Sequence, residues 1–341
     1  MNDSILIWGA GAIGGVLAAY WTRAGHTVRA VDIVAEHVAA MRDGGLRIEG
    51  PVEEFTQTLD AVTPEEVSGT YDRIVLAVKA HHTDAALDRL LPHLAPGGFI
   101  LSAQNGLNER VIAARAGAGR TMGCFVNFGA DWLEPGRILY GNRAAVAVGE
   151  LDGSLTPRLH EMHALLRIVE PEAVITDNIW GYLWGKMGYG ALLFATALTH
   201  DSMSDALARE AHFPVFRALG QEVMALAAAQ NIAPVGFNGF DPAAFTPGAS
   251  EAAARASVAA MVMFNRKTAK THSGIWRDLA VRKRKTEVDA QIAPMVAIGR
   301  DLSVPVPVLT QLVELIHEIE QGKQPQSVAT LDRLVPACTS T

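Results

Sequence analysis

The stretch Ile5–Gly15, ILIWGAGAIGG, decides the fold of this chain. Four apolar residues come directly before the pattern G-x-G-x-x-G, and a helix-like segment, Val16–Arg23, follows at once. A second strand-like run, Thr27–Val31, then ends in Asp32. Because the glycine pattern lies between a strand and a helix and is followed by this acidic residue, it predicts a dinucleotide-binding site.

Each glycine of the pattern has a distinct predicted role. Gly9 makes the tight turn, Gly11 lets the backbone approach a pyrophosphate, and Gly14 lets the helix pack close to the strand. The N–H groups of the first helical turn, which includes Ala12 and Ile13, have no partners within the helix. They carry a partial positive charge and therefore suit a pyrophosphate.

Asp32 bears on the choice of cofactor. Its carboxylate can accept hydrogen bonds from the ribose hydroxyls of the adenosine half. It would repel a 2′-phosphate by ~3 kcal/mol per unit of phosphate charge, at a separation of ~5 Å and an effective dielectric constant near ~20. Residues 33–37 offer no Arg or Lys to neutralise such a phosphate. The sequence therefore predicts NAD(H) in preference to NADP(H), with the alternative that Asp32 only caps the next helix.

Composition sets the class of protein. The 341 residues allow two domains, and 49% hydrophobic with 19% charged residues is typical of a folded globular chain. The net charge of −7 gives no support for binding to nucleic acid or to anionic membranes. Cys124 and Cys338 lie in no metal-ligand pattern, so we predict neither a metal site nor a disulfide framework. Such sparse cysteine use favours a cytoplasmic location.

The two halves of the chain differ in pattern. Residues 1–175 alternate strand-like and helix-like segments, which predicts a doubly wound α/β sheet of the Rossmann type. Lys79 and Asn105 follow two further predicted strands and should meet the glycine loop at one edge of the sheet. Residues 176–325 contain helical segments and no convincing strand, so we predict an all-α domain for substrate binding and dimerisation. Residues 326–341 are predicted to form a tail.

Five features together resemble the ketopantoate reductases, in the order and at about the spacing found in that family. They are the GAGAIGG opening, Val78-Lys79-Ala80, Gln104-Asn105-Gly106, Trp184-x-Lys186 and Arg284-Lys285-Thr286-Glu287-Val288-Asp289. The resemblance implies a Rossmann domain, a helical C-terminal domain and reduction of a 2-oxo acid with a nicotinamide cofactor. It also implies that Lys186 is the catalytic lysine, with Glu287 as its glutamate partner, and that Lys79 and Asn105 contact the cofactor and active site.

The chemistry expected of Lys186 and Glu287 is sound by itself. Hydride addition to a carbonyl carbon leaves negative charge on the oxygen, which an ammonium group can stabilise and protonate. General acid catalysis of this kind contributes roughly 10²–10⁴-fold. Glu287 would orient Lys186 or accept a hydrogen bond from the product hydroxyl. The alternative is that Lys186 extends to solvent and Glu287 is an ordinary surface residue.

The chain departs from the family at two positions. The family carries asparagines four and eight residues after the catalytic lysine, whereas this chain has Gly190 and Phe194 there. Two lost carboxamides remove hydrogen bonds worth ~0.5–1.5 kcal/mol each, and the new residues make the site roomier and less polar. We therefore predict a substrate bulkier or less polar than ketopantoate, such as an aromatic compound. The alternative is that other residues hold ketopantoate.

Candidates for such residues follow Lys270. Ser273 is the closest match to a family serine that contacts the substrate carboxylate. His272 is a candidate second acid or hydrogen-bond donor, or else a solvated loop residue.

Three functions remain open from the sequence. The leading hypothesis is an NAD(H)-dependent oxidoreductase of the ketopantoate reductase type acting on another hydroxy or oxo compound. The second is a genuine 2-dehydropantoate 2-reductase, and the third is a non-catalytic NAD-binding regulator. In each case we expect the protein to be a homodimer. We expect it to bind a small molecule and to bind neither nucleic acid nor a membrane.

Overall fold

The computed structural model describes residues 4–268 and 271–339. It divides into two compact units, one ending at Ile179 and the other beginning at Trp180. No helix in these described ranges is both long enough and apolar enough to cross a membrane.

The first unit is an α/β structure, as the sequence predicts. Its strands are β1 (Ile5–Trp8), β2 (Val28–Val31), β3 (Leu46–Glu49), β4 (Phe55–Gln57), β5 (Asp60–Val62), β6 (Tyr71–Leu76), β7 (Leu94–Ser102), β8 (Thr121–Val126), β9 (Gly129–Glu134), β10 (Arg137–Asn142), β11 (Val146–Glu150) and β12 (Val174–Ile175). Its α-helices are α1 (Ala12–Arg23), α2 (Ala35–Asp43), α3 (Thr83–Leu90), α4 (Asn108–Ala116) and α5 (Pro157–Val169).

Eight of these strands form the main sheet, in the order β12-β11-β8-β7-β6-β1-β2-β5. All neighbours are parallel except β8 and β11, which are antiparallel. The position of strand β1 in this sheet explains why all four of its residues are apolar. Ile5 and Ile7 pack into the core on one face of the sheet, and Leu6 and Trp8 pack into the core on the other. Because both faces are covered, neither set of side chains can be polar.

A second, four-stranded sheet in the order β4-β3-β10-β9 was not predicted. It packs against α1, where a Cβ on Gly15 would come within 2.3 Å of Ile138 Cδ1 and where the rings of Tyr20 and Phe55 meet edge to face at 5.0 Å. The strands are short, and β3 pairs in parallel with β10, about ninety residues later in the chain. Local periodicity carries no signal for such a distant pairing.

The second unit is helical. Its helices are α6 (Ile179–Thr196), α7 (Met203–Leu207), α8 (Phe213–Ala228), α9 (Glu251–Arg266), α10 (Gly274–Ala280), α11 (Val288–Gln291), α12 (Ala293–Leu302), α13 (Pro307–Glu320) and α14 (Val328–Asp332). Among its described residues, the one extended pairing is an isolated bridge between Phe237 and Phe240.

The predicted tail is wrong for most of its length. Gln326 Nε2 donates to the Ala197 carbonyl oxygen at 2.8 Å, and the Ser327 amide donates to that of Leu198 at 2.8 Å. Leu331 and Leu334 are fully buried. The segment from 326 therefore belongs to the helical unit, and its two buried leucines are too few for a recognisable pattern. Residues 340 and 341 lie outside the described part of the chain.

Candidate active site

The glycine loop between β1 and α1 has a geometry that requires glycine at two positions. Gly9 has a φ of +100°, and a Cβ there would lie 2.7 Å from the Val78 amide nitrogen. A Cβ on Gly14 would lie 2.0 Å from the Gly9 carbonyl oxygen. Gly9 thus makes the turn and Gly14 allows α1 to approach β1, which are the roles that the sequence assigns to them.

The start of α1 is open to a ligand. Gly11 is the N-cap residue, no side chain caps the helix, and a Cβ on Gly11 would meet no atom within 4 Å. The helix is 12 residues long, and its first turn contains the half-buried Ala12 and Ile13. Open space beside Gly11 and a helix N-terminus that no side chain caps fit the pyrophosphate of a dinucleotide.

Strand register brings the predicted cofactor residues to one edge of the sheet. Trp8, the last residue of β1, is in register with Val31 of β2 and Leu76 of β6, and Leu76 is in register with Ser102 of β7. These four residues form a row across the sheet. The chain continues from this row into four loops, which contain Gly9, Asp32, Lys79 and Asn105. The structure therefore places these residues at one edge of the sheet, here called the rim.

A buried polar network behind the rim was missed by the sequence reasoning. Gln104 Nε2 donates to the Val78 carbonyl oxygen and to Thr83 Oγ1, both at 2.9 Å. Thr83 Oγ1 lies 3.0 Å from Asn108 Oδ1, and Asn108 Nδ2 donates to the Asn105 carbonyl oxygen at 2.6 Å. The network ties the loop after β6 to the loop after β7. It thereby holds the half-buried Lys79 and the exposed Asn105 at neighbouring strand ends.

Asp32 follows β2 and is half-buried. Its Oδ1 accepts a hydrogen bond from the Val34 amide at 3.0 Å. The N-cap residue of α2 is Val34, so Asp32 orders the turn before the helix and does not cap it. Ile33 beside it is 72% exposed. This stretch presents an acid and an apolar side chain at the rim, with no basic group in residues 33–37 apart from the buried His37.

In the second unit, Lys186 lies on the most accessible stripe of α6. The half-buried residues of this stripe are Tyr182, Lys186, Gly190 and Leu193. A Cβ added to Gly190 would meet no atom within 4 Å. These residues recur at intervals of four, four and three, which is the spacing of one helix face. Much of the rest of α6, including Trp184, is buried inside the unit.

Phe194, which we predicted on the same helical stripe as Lys186 as an apolar wall of the site, does not lie on the accessible stripe. Phe194 is fully buried, whereas Leu193 is half-buried. At about 100° of rotation per residue, Leu193 lies about 20° from Lys186 around the helix axis and Phe194 about 80°. The apolar residue on the lysine stripe is therefore Leu193.

Glu287 is half-buried and precedes α11, where its carbonyl oxygen accepts from the amides of Ala290 and Gln291 at 3.0 and 2.8 Å. The residues around it are tied to α13. Thr286 donates through its amide and its hydroxyl to Glu320 Oε1, at 2.7 and 2.8 Å. Asp289 Oδ1 lies 2.8 Å from His317 Nε2. These two attachments, neither of them predicted, fix the backbone that carries Glu287.

His272 and Ser273 have local structural partners. Ser273 is buried and is the N-cap of α10, where its Oγ accepts from the Trp276 amide at 3.1 Å. The His272 ring lies 4.0 Å from the Trp276 ring between centroids, and its Nδ1 lies 2.9 Å from Thr271 Oγ1. A role for either residue in substrate binding stays a prediction.

Two models of one protein family together match most of this chain. The model of the family described as ketopantoate reductase PanE/ApbA matches residues 5–153, and its C-terminal model matches residues 178–320. The chain belongs to the ketopantoate reductase family. As a member of it, the protein is an oxidoreductase acting on a C=O or CH–OH group with a nicotinamide cofactor and a small-molecule substrate.

Relatives within the family are distant. A 2-dehydropantoate 2-reductase of Mesorhizobium japonicum is 26% identical over 346 residues, covering 93% of this chain and 98% of the relative. One from Archaeoglobus fulgidus is 25% identical over 319 residues, covering 93% and 98%.

Two solved structures share the fold. A D-mandelate dehydrogenase with NADH and anilino(oxo)acetate has a TM-score of 0.79 at 20% identity, covering 94% of this chain and 99% of its own. A ketopantoate reductase family member from Ralstonia eutropha has a TM-score of 0.78 at 24% identity, with the same coverage. At these identities the likeness shows the fold alone.

Proposed function

We propose that this protein interconverts a bulky, apolar 2-oxo acid and the corresponding 2-hydroxy acid, with NAD(H) as cofactor. The observation that carries the substrate class is the accessible stripe of α6. There Lys186 is followed by the empty space at Gly190 and by the apolar Leu193, and no carboxamide lies on the stripe. Such a surface offers few hydrogen bonds to a polar substrate and accommodates a larger apolar group.

Two residues of the helical unit are assigned chemical roles. When bound, the reduced nicotinamide supplies the hydride that adds to the carbonyl carbon. Lys186 stabilises the negative charge that develops on the carbonyl oxygen and donates the proton that completes the hydroxyl group. Glu287 orients the ammonium group of Lys186 or accepts a hydrogen bond from the product hydroxyl.

The fold itself is compatible with an aromatic substrate, since the neighbour bound to anilino(oxo)acetate is named for mandelate, a 2-hydroxy acid that carries a phenyl ring. The curated relatives named 2-dehydropantoate 2-reductase favour the second candidate function, reduction of ketopantoate. Because membership of the family makes the protein an oxidoreductase, a non-catalytic NAD-binding regulator is no longer a candidate.

We expect NADH-dependent reduction of phenylglyoxylate to have a kcat/KM at least about tenfold above that of ketopantoate, since two carboxamide hydrogen bonds are worth ~1–3 kcal/mol together. Both values follow from initial rates of NADH consumption with the purified protein. Ketopantoate as the better substrate would replace the proposal by the second function. Tight NADH binding without turnover of any 2-oxo or 2-hydroxy acid would contradict the proposed substrate class.

Replacing Gly190 with asparagine should narrow this preference. The side chain has room on α6, and asparagine is no worse a helix former than glycine, so the fold should be kept. We expect kcat/KM for phenylglyoxylate to fall and that for ketopantoate to rise, each by up to about tenfold, because the carboxamide adds a hydrogen bond worth ~0.5–1.5 kcal/mol. Gly190→Ala, which fills space without a hydrogen bond, is the control and should not improve ketopantoate. Unchanged kcat/KM values for both substrates in both variants would remove Gly190 from the substrate site, and equal changes in the two variants would exclude the added hydrogen bond.

The proposal includes a homodimer formed through the helical unit and a cytoplasmic location. Sedimentation at micromolar concentration distinguishes a dimer from a monomer.

A further inference from the structure

We propose that His37 is a positioning residue for the pyrophosphate site, because its hydrogen bond to Ala10 fixes the orientation of the peptide group between Ala10 and Gly11. The inference rests on the dinucleotide binding of the proposed function and assigns to a buried histidine of α2 a role in it. His37 is not at the rim itself, because its side chain is fully buried.

Both ring nitrogens of His37 are engaged by backbone groups. Nε2 lies 2.9 Å from the carbonyl oxygen of Ala10, within the glycine loop. Nδ1 accepts a hydrogen bond of 2.9 Å from the amide of Gly136, in the turn between β9 and β10. A carbonyl oxygen only accepts and an amide only donates. The arrangement therefore requires the neutral tautomer with its proton on Nε2.

The hydrogen bond to Ala10 fixes which way the neighbouring amide points. Peptide bonds in the described chain are trans, so the carbonyl of Ala10 and the amide of Gly11 point in opposite directions. With the Ala10 oxygen directed at His37, the Gly11 N–H is directed away from it. A flipped peptide would break the bond to His37 and reverse the Gly11 N–H, so that a carbonyl oxygen would face the phosphates in its place.

The Gly136 end of the bridge is itself held in place. Gly136 has a φ of +76°, a Cβ on it would lie 2.8 Å from Ala40 Cβ, and its carbonyl oxygen accepts from the Arg47 amide at 2.8 Å. The four-stranded sheet thus supplies a fixed donor to His37. Through His37, that sheet supports the loop whose amide groups receive the pyrophosphate.

The test compares His37→Phe with His37→Gln. Phenylalanine keeps a ring of similar size and removes both hydrogen bonds, whereas glutamine keeps a donor near the position of Nε2. We expect His37→Phe to raise the Kd of NADH and of ADP-ribose, which carries the same pyrophosphate, at least about tenfold. Its kcat at saturating NADH should stay within about threefold of wild type, and His37→Gln should restore most of the affinity.

Trp132→Ala is the matched control, because the Trp132 ring packs edge-on against His37 at 6.0 Å without bonding to it. It should leave both Kd values unchanged. A folded His37→Phe protein that binds NADH like wild type would overturn the proposal. If that variant does not fold, ¹⁵N NMR of the wild-type imidazole decides: a proton on Nε2 alone supports the bridge, and a proton on Nδ1 contradicts it. Failure of the wild-type protein to bind NADH would instead overturn the proposed function.

Discussion

Replacing Lys186 with alanine should lower kcat for 2-oxo acid reduction at least about a hundredfold, while the Kd of NADH stays within about twofold of wild type. The ammonium group is assigned both stabilisation of the developing oxyanion and delivery of the proton, and general acid catalysis alone contributes roughly 10²–10⁴-fold. Lys186 lies on α6 in the helical unit, whereas the predicted cofactor contacts lie in the first unit, so the loss should appear in turnover. Stopped-flow single turnovers and NADH fluorescence titration measure the two quantities.

Two controls make this result specific. Lys285→Ala removes the same charge from an exposed position two residues before Glu287 and should leave kcat near that of wild type. Added methylammonium should partly restore turnover to Lys186→Ala, because it replaces the missing group. Normal turnover by Lys186→Ala would exclude Lys186 from the mechanism.

The second large effect concerns the cofactor. We expect kcat/KM for NADH to exceed that for NADPH by about a hundredfold, since repulsion between Asp32 and a 2′-phosphate amounts to ~3 kcal/mol per unit charge at ~5 Å. Residues 33–37 contain no lysine or arginine to offset it, and His37 is engaged inside the protein. Asp32→Ala should lower kcat/KM for NADH, raise it for NADPH and so reduce the ratio at least about tenfold.

Glu36→Ala is the control for Asp32, because it removes an exposed acid from the start of the same helix α2. The ratio should then stay within about threefold of wild type. A clear preference of the wild-type protein for NADPH would refute the role given to Asp32.

The parts of the site that could be predicted from sequence are those set by local backbone requirements. Gly9 and Gly14 are recognisable in the sequence because only glycine fits there. Gly9 has a positive φ, and Gly14 lies where the helix approaches the strand closely. Parallel strands end at one edge of a sheet, so the sequence alone predicts that Asp32, Lys79 and Asn105 lie near one another. The family and fold class are likewise confirmed.

What the sequence did not predict depends on long-range contacts. The pairing of β3 with β10 joins segments about ninety residues apart, and the polar network of Gln104, Thr83 and Asn108 has no periodicity. The hydrogen bond between Gly136 and His37 was unpredictable for the same reason, because it links residues 99 positions apart. The error at Phe194 has a different cause. Counting in steps of four accumulates about 40° of rotation per step, so a residue eight positions on leaves the face of Lys186.

In the proposed reaction, this chain moves a hydride between NADH and the carbonyl carbon of an apolar 2-oxo acid. The direct measurement is the reaction of phenylglyoxylate with NADH carrying deuterium at both C4 positions, with the product analysed by mass spectrometry. We predict mandelate that carries one deuterium at C2 and is formed in equal amount to the NADH consumed. Unlabelled product, or NADH that is bound but never consumed with any 2-oxo acid, would contradict the account.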